Sequence, residues 1–343
     1  STATNSLPLL YAGRFFGGVG TSLLFSAPEA WLVGQSSKEK VGPSMLSQTF
    51  GLAYLGDSVV AMLAGQLAGG VASKGGPVAP FLLSTGFLAL GAALVALTWR
   101  ENYGGRSVES DASEGAKGTG KGEAPRDQPT LLDRVGAAWR AMIADRRVLL
   151  VGGVQAFFEG AMYTFVLVWP PALRAAIAAL VPAGSAAQVP FGAIFSCFMA
   201  CCMLGSSTFS LASKAGKKVE DVTVAMLAAG VGAMALATAA ASKASLASLA
   251  LSFFIFEACV GIYFPCIGTL RAKILPDEHR GAIMNIFGIP LNLIVVIVFL
   301  SIAKLGTVGA LQCSTVSLGC AFLAALALRL PASGTNKAVA AAA

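Results

Sequence analysis

Charge is scarce in this 343-residue chain: Asp, Glu, Lys and Arg make up 12% of it, about half the share of an ordinary soluble domain. That scarcity argues against a water-soluble fold, which would need one enormous core under a surface with too few charges. Histidine occurs once, as His279, and it falls in a loop, so no imidazole inside an apolar run can serve as a proton relay. The seven cysteines show neither CxxC nor His/Cys metal spacing. Cys197, Cys201 and Cys202 share one apolar stretch, while Cys259, Cys266, Cys313 and Cys320 lie on others. They read as small apolar residues, and no metal or other cofactor is expected. A GxxxxGK[ST] phosphate cradle is missing, which disfavours ATP-driven pumping. No nucleophile–base constellation supports an enzyme. Alternation of apolar and polar residues is also lacking, which excludes the strands of a membrane barrel.

What the chain does have is apolar length. It is 56% hydrophobic, with a mean hydropathy of +0.74. Its charges cluster and leave uncharged runs of roughly 18–20 residues or more, enough for a helix to cross a bilayer. Nine spans are expected, over 8–33, 45–70, 77–98, 148–172, 190–212, 222–241, 246–270, 282–303 and 307–329. Helices are required there because every backbone N–H and C=O must be paired inside lipid. The lipid bilayer is therefore the first partner. The cell membrane is the expected location, with an organelle membrane as the alternative.

Residues 100–147 break the pattern. The first part is rich in Gly, Ser, Lys, Glu and Asp and reads as a disordered linker. The second, about 130–145, places Leu131, Leu132, Val135, Trp139 and Met142 at helical spacing, as in an amphipathic helix on a membrane surface. The expected organisation is a bundle of three spans over 1–99, a cytoplasmic linker over 100–147, a six-helix bundle over 148–330 and a disordered tail over 331–343. If the first span runs inward, 19 of the 24 Lys and Arg fall on cytoplasmic segments. Only Lys74, Arg174, Lys243 and Lys304 then lie outside, and Arg14 lies within a span. The positive-inside rule favours this orientation over its reverse. It also accounts for the formal net charge of +7, so no nucleic-acid partner is expected.

The few charges inside spans are the functional candidates, since an ion at bilayer depth normally faces a partner or a watery cavity. Arg14 and Glu29 share the first span, but at 15 residues apart they are separated by ~22 Å and do not pair. Asp57, Glu159 and Glu257 are the other span acids. Gln155, Glu159 and Tyr163 recur at i, i+4 and i+8, a polar stripe on an apolar helix. Such a stripe lines a cavity or makes hydrogen bonds between helices. Glu257 and Tyr263 precede Pro265, which should kink its helix. Asn285 and Asn292 flank Pro290, seven residues apart on one face. Arg14, Gln155, Glu159, Tyr163, Glu257, Tyr263, Asn285 and Asn292 are the expected substrate-binding or translocation residues. Glu29 and Asp57 are expected to gate or support the structure. Gly17, Gly18, Gly20, Gly65, Gly69 and Gly70 are expected to let helices approach closely.

Short motifs place these spans in a larger scheme. Leu10-xxx-Arg14-xx-Gly17-Gly18-x-Gly20-Thr21-Ser22 resembles the fourth-helix motif of the major facilitator superfamily. Gly65-Gln66-Leu67-Ala68-Gly69-Gly70 is similar to its fifth-helix GPxxGG motif, with Gln in place of Pro. LASKAGKK, residues 211–218, resembles the LADRxGRR loop between helices 8 and 9, with Ser213 where Asp is usual. The order and spacing correspond to helices 4–12 of twelve, with three helices expected ahead of residue 1.

Longer stretches narrow the resemblance. GRFFGGVGTSLLFSAPEAW, DRRVLLVGGVQAFFEGAMYTFVLVWPPAL, PFGAIFSCFMACCMLGSS and FEACVGIYFPCIGTLRAKILPDEHRGAIMNIFGIPLN together resemble the eukaryotic molybdate-anion transporter family over most of 9–33 and 145–300. The resemblance implies an all-α major facilitator bundle that imports molybdate or a related oxyanion by alternating access. Two positions depart from the pattern: Pro28 replaces a larger apolar residue, and Gly288 stands where the family has Arg. Arg14 suits a tetrahedral dianion, which needs fixed N–H donors. Glu159 and Glu257 are poor direct ligands for an oxyanion and are expected to hold Arg side chains or to carry a coupling proton. The alternatives are a carrier of another solute, such as a sugar or organic anion, and a non-transporting receptor or scaffold on the same fold.

Overall fold

A computed structural model describes residues 6–40, 43–100, 131–180, 182, 189–276 and 279–329. Those residues are helical almost throughout, with no strand among them. In chain order the helices are α1 (Leu7–Lys38), α2 (Pro43–Gly75), α3 (Ala79–Thr98), α4 (Leu131–Ala144), α5 (Arg146–Ala178), α6 (Phe191–Lys214), α7 (Val219–Ser242), α8 (Leu246–Ile274) and α9 (Arg280–Arg329). Helices α3 and α5 to α9 are long and apolar enough to cross a membrane, while α1 and α2 run for 32 and 33 residues. Most of the linker expected over 100–147 and all of the tail expected beyond 330 fall outside the described residues.

Helix α9 covers two of the expected spans in one element of 50 residues. Gly306 interrupts it with φ 62° and ψ −176°, a left-handed backbone that only glycine adopts without strain. Contacts with α5 show what the break does. A Cβ on Gly152 would strike the ring of Phe287, and one on Gly160 would lie 2.9 Å from Ile294, so the arm before Gly306 runs parallel to α5. After the break, Ser314 and Ser317 donate to the carbonyls of Ala161 and Phe157, at 3.4 and 2.7 Å. That register runs the other way. The chain therefore reverses at Gly306, and α9 is two antiparallel helices.

The chain divides into two compact units, residues 1–126 and 127–343. In the first, Trp31 stacks on Trp99 with centroids 4.2 Å apart and donates its indole N–H to the carbonyl of Arg100 at 3.0 Å. Helix α3 buries none of its residues. The second unit has a continuous core. Helix α5 runs through its middle, burying Val151, Val154, Phe158, Ala161, Phe165 and Val168 at helical spacing. Aromatic rings fill the space around it: Phe158 stacks on Tyr263 at 3.9 Å, and Phe165 meets Phe198, Phe253 and Phe256 at 5.1–5.8 Å. In lipid such packing, rather than flight from water, holds helices together.

Helices α6 and α8 approach until backbone meets backbone. A Cβ on Gly205 would collide with the carbonyl of Ala258, and one on Gly261 with the carbonyl of Cys202. Only a residue without a Cβ fits at either point. Pro265 lies inside α8, which continues through it to Ile274, so the helix runs on past the expected kink. Helix α4, amphipathic as the sequence suggests, buries Ala138 and Met142 and exposes Val135, Trp139 and Ile143.

Candidate functional site

The polar centre of the second unit is built by α5 and α8. These helices run antiparallel, as the pairing of Phe165 with Phe253, Glu159 with Tyr263 and Gln155 with Arg271 shows. Gln155 and Glu159 are one turn apart on α5, so both side chains face α8. Tyr263 donates its hydroxyl to Glu159 Oε1 at 2.8 Å. Arg271, two turns further along α8, donates from Nε to Gln155 Oε1 at 3.1 Å and from Nη2 to Glu159 Oε1 at 3.5 Å.

The burial of this network matters as much as its distances. Tyr263 is fully buried beneath Phe158 and Gln155 is 6% exposed. The side chains of Arg271 and Glu159 are 19% and 16% exposed. Charges so sheltered interact strongly and must be paired. The guanidinium is planar and presents five N–H donors, more than Gln155 and Glu159 use. Arg271 reaches the network from the last turn of α8, while Gln155 and Glu159 lie well inside α5.

Other candidates lie elsewhere. Tyr163, next on the α5 stripe, is 48% exposed and does not join the network. Glu257 is buried at 8% exposure, on a different face of α8, where it is within electrostatic reach of Cys201 and Cys202 of α6. Asn285 is exposed, and exposed Asn292 donates to its own helix, at Gly288 O, at 2.7 Å. Gly288 thus leaves α9 without a cation beside Asn292.

In the first unit, Arg14 and Asp57 are exposed. The side chain of Glu29 lies outside the described residues. Gly65 is buried, Gly69 half-buried and Gly70 exposed. At Gly17, Gly18, Gly20 and Gly70 no described atom lies within 4 Å of where a Cβ would sit.

Arg271 is the residue that the sequence reading passes over, because it falls one position beyond the expected end of its span and counts there as a loop charge. The missed signal is helical continuation: α8 extends four residues further, with Arg271 two turns after Tyr263.

A second set of charges closes the ends of these helices. Glu220, at the start of α7, lies 2.6 Å from Lys273 of α8 and 3.9 Å from Arg147 of α5. Asp221 pairs with Arg329 of α9 at 2.8 Å. Four helices are tied at this one face, the face that the Lys and Arg distribution assigns to the cytoplasm.

Comparison with known proteins gives two sets of matches. A major facilitator profile described as "sugar transporters, 12 TM" matches residues 2–260. The chain is 31% identical over 295 residues to a molybdate-anion transporter of Xenopus tropicalis, covering 83% of this chain and 58% of that protein. It is 32% identical to proteins of the same name from Takifugu rubripes and Danio rerio, over 83% of this chain and 59% of each. It thus spans under three-fifths of the length of these relatives.

Proposed function

The chain belongs to the major facilitator superfamily, and from that membership we propose that it works in a secondary carrier importing molybdate, or a closely related tetrahedral oxyanion, by alternating access. The observation that carries the reading is Arg271, in the last turn of α8 and held there by Gln155 and Glu159 of α5. Identity to relatives named for molybdate supplies the cargo. An oxyanion of this shape is recognised best by a planar fork of donors in a sheltered site.

The geometry also suggests how cargo and proton are coupled. Glu159 occupies Arg271 with an oxygen that an oxyanion would otherwise supply. Protonation of Glu159 weakens its hold, frees the guanidinium for the incoming anion and turns the carboxyl into a further donor. Release of the anion and the proton on the inner side lets the pair re-form. Arg14 is a second cation for the path, and Glu257 a second carboxyl. The proposed membrane is that of the cell surface.

The profile's description names sugars, and a neutral sugar would leave the Arg271–Glu159 pair without a task. Uptake of labelled molybdate into cells expressing the complete protein decides between them. Uptake above control cells, competed by sulfate and indifferent to hexoses, is expected. Competition by hexoses alone would transfer the assignment to sugars. No uptake of either would leave a receptor or scaffold.

A further inference from the structure

A cavity of about 310 Å³ opens between the ends of α6, α7 and α8, on the face carrying the ion pairs of Glu220 and Asp221. It lies apart from Gln155 and Glu159. Its apolar lining is Phe209, Val219 and Val222, on α6 and α7, and Lys217 and Lys218 line it from the turn between those helices. Lys273 and Glu220 form the remaining charged wall; Lys273 lies 2.6 Å from Glu220 Oε1, while Glu220 Oε2 is buried without a hydrogen-bond partner. Lys217 and Lys218 are exposed, and among the described residues no carboxylate pairs with either. A carboxylate at position 213 would offset part of their charge, but the cavity is lined there by Ser213.

The start of α7 adds to the field. Its N-cap is Lys218, which makes no side-chain cap, so the first backbone N–H groups add their partial positive charge to that of the lysines. Glu220 opposes this, but Arg147 and Lys273 both lean on it. Of the charged residues that line the cavity, three are Lys and one is Glu, with Asp221 beside them in the first turn of α7.

We propose that this cavity holds the phosphate-bearing headgroup of an anionic phospholipid from the cytoplasmic leaflet. Apolar residues on the membrane-crossing helices together with lysines at their ends match a ligand with an acyl stem below its phosphate. A free phosphate would use only the lysines. Basic pockets between transmembrane helices on the cytoplasmic side recognise such lipids, and each nearby Lys adds to the attraction. The lipid would bridge α6, α7 and α8 where the ion pairs already tie α5, α7, α8 and α9.

The test uses the complete protein, purified into bilayer discs of phosphatidylcholine with or without phosphatidylserine or a phosphoinositide, with retained lipid counted by native mass spectrometry. Wild-type protein should retain the anionic lipid over phosphatidylcholine. Retention should fall roughly tenfold or more in a K217E/K218E variant and in S213D, while K304E, at the opposite ends of the helices, should behave as wild type. Both positions 217 and 218 are exposed, and S213D keeps both lysines, so a folding defect in one variant does not mask the result. Equal retention in wild type and K217E/K218E would overturn the proposal. Displacement of the lipid by millimolar inorganic phosphate would overturn the lipid assignment in favour of a soluble anion.

Discussion

Arg271 is the sheltered cation of the α5–α8 network. Its charge is sheltered to 19% exposure and is shared between Gln155 and Glu159. Removing it leaves Glu159 with only the neutral donors Tyr263 and Gln155 and takes away the donor fork. Arg271→Gln should therefore cut molybdate uptake at least about tenfold, a loss of ~1.4 kcal/mol or more, measured at matched surface expression. Arg271→Lys should restore little, because an ammonium has no planar fork. Glu159→Gln probes the coupling. If protonation of Glu159 releases Arg271, wild-type uptake rises as the outside is acidified, while the Gln variant, permanently neutral, takes up molybdate at a rate that is flat with pH. Wild-type uptake insensitive to pH and to uncouplers would refute proton coupling and leave the anion site standing.

At the level of elements, helix contact is decided by what is missing from side chains. Gly205 and Gly261 bring α6 and α8 together at carbonyls of Ala258 and Cys202, and a backbone obstacle cannot swing aside as a rotamer does. Gly205→Ala and Gly261→Ala should each cost about 1–3 kcal/mol through forced separation of the helices. Thermal melting of the purified protein reads this as a clear drop in Tm. Gly17→Ala, with open space where its Cβ would go, is the control and should melt as wild type.

On the scale of the molecule, the two units differ in self-sufficiency. Residues 127–343 enclose a core that runs from Ala138 to Leu328. Helix α3 of the first unit buries nothing and exposes Phe81, Leu82, Phe87, Leu88 and Leu97. Apolar surface on that scale has to be met by lipid or by protein. Residues 127–343 expressed alone in a membrane should therefore melt in one cooperative transition in detergent, followed by circular dichroism. Residues 1–126 alone should lose helix gradually with no defined midpoint. A cooperative melt of 1–126 would contradict this account.

The order of residues along the chain was enough for the membrane-embedded, all-helical class, the approximate ends of the helices and the separation of 282–303 from 307–329. Each depends on runs of apolar residues and on the charges that separate them, where neighbours along the chain suffice. It also singled out Gln155, Glu159 and Tyr263 as polar residues with a task. Which of them meet is set by the packing of the helices. It joined those three to Arg271, set Tyr163 and Asn285 on exposed surface, turned Glu257 toward α6, and made Gly152, Gly160, Gly205 and Gly261 the glycines of close contact. The physical reason is that ion pairing and backbone approach depend on distances between helices, and those are fixed by how α5 packs against α8 and α9 rather than by spacing along any one of them.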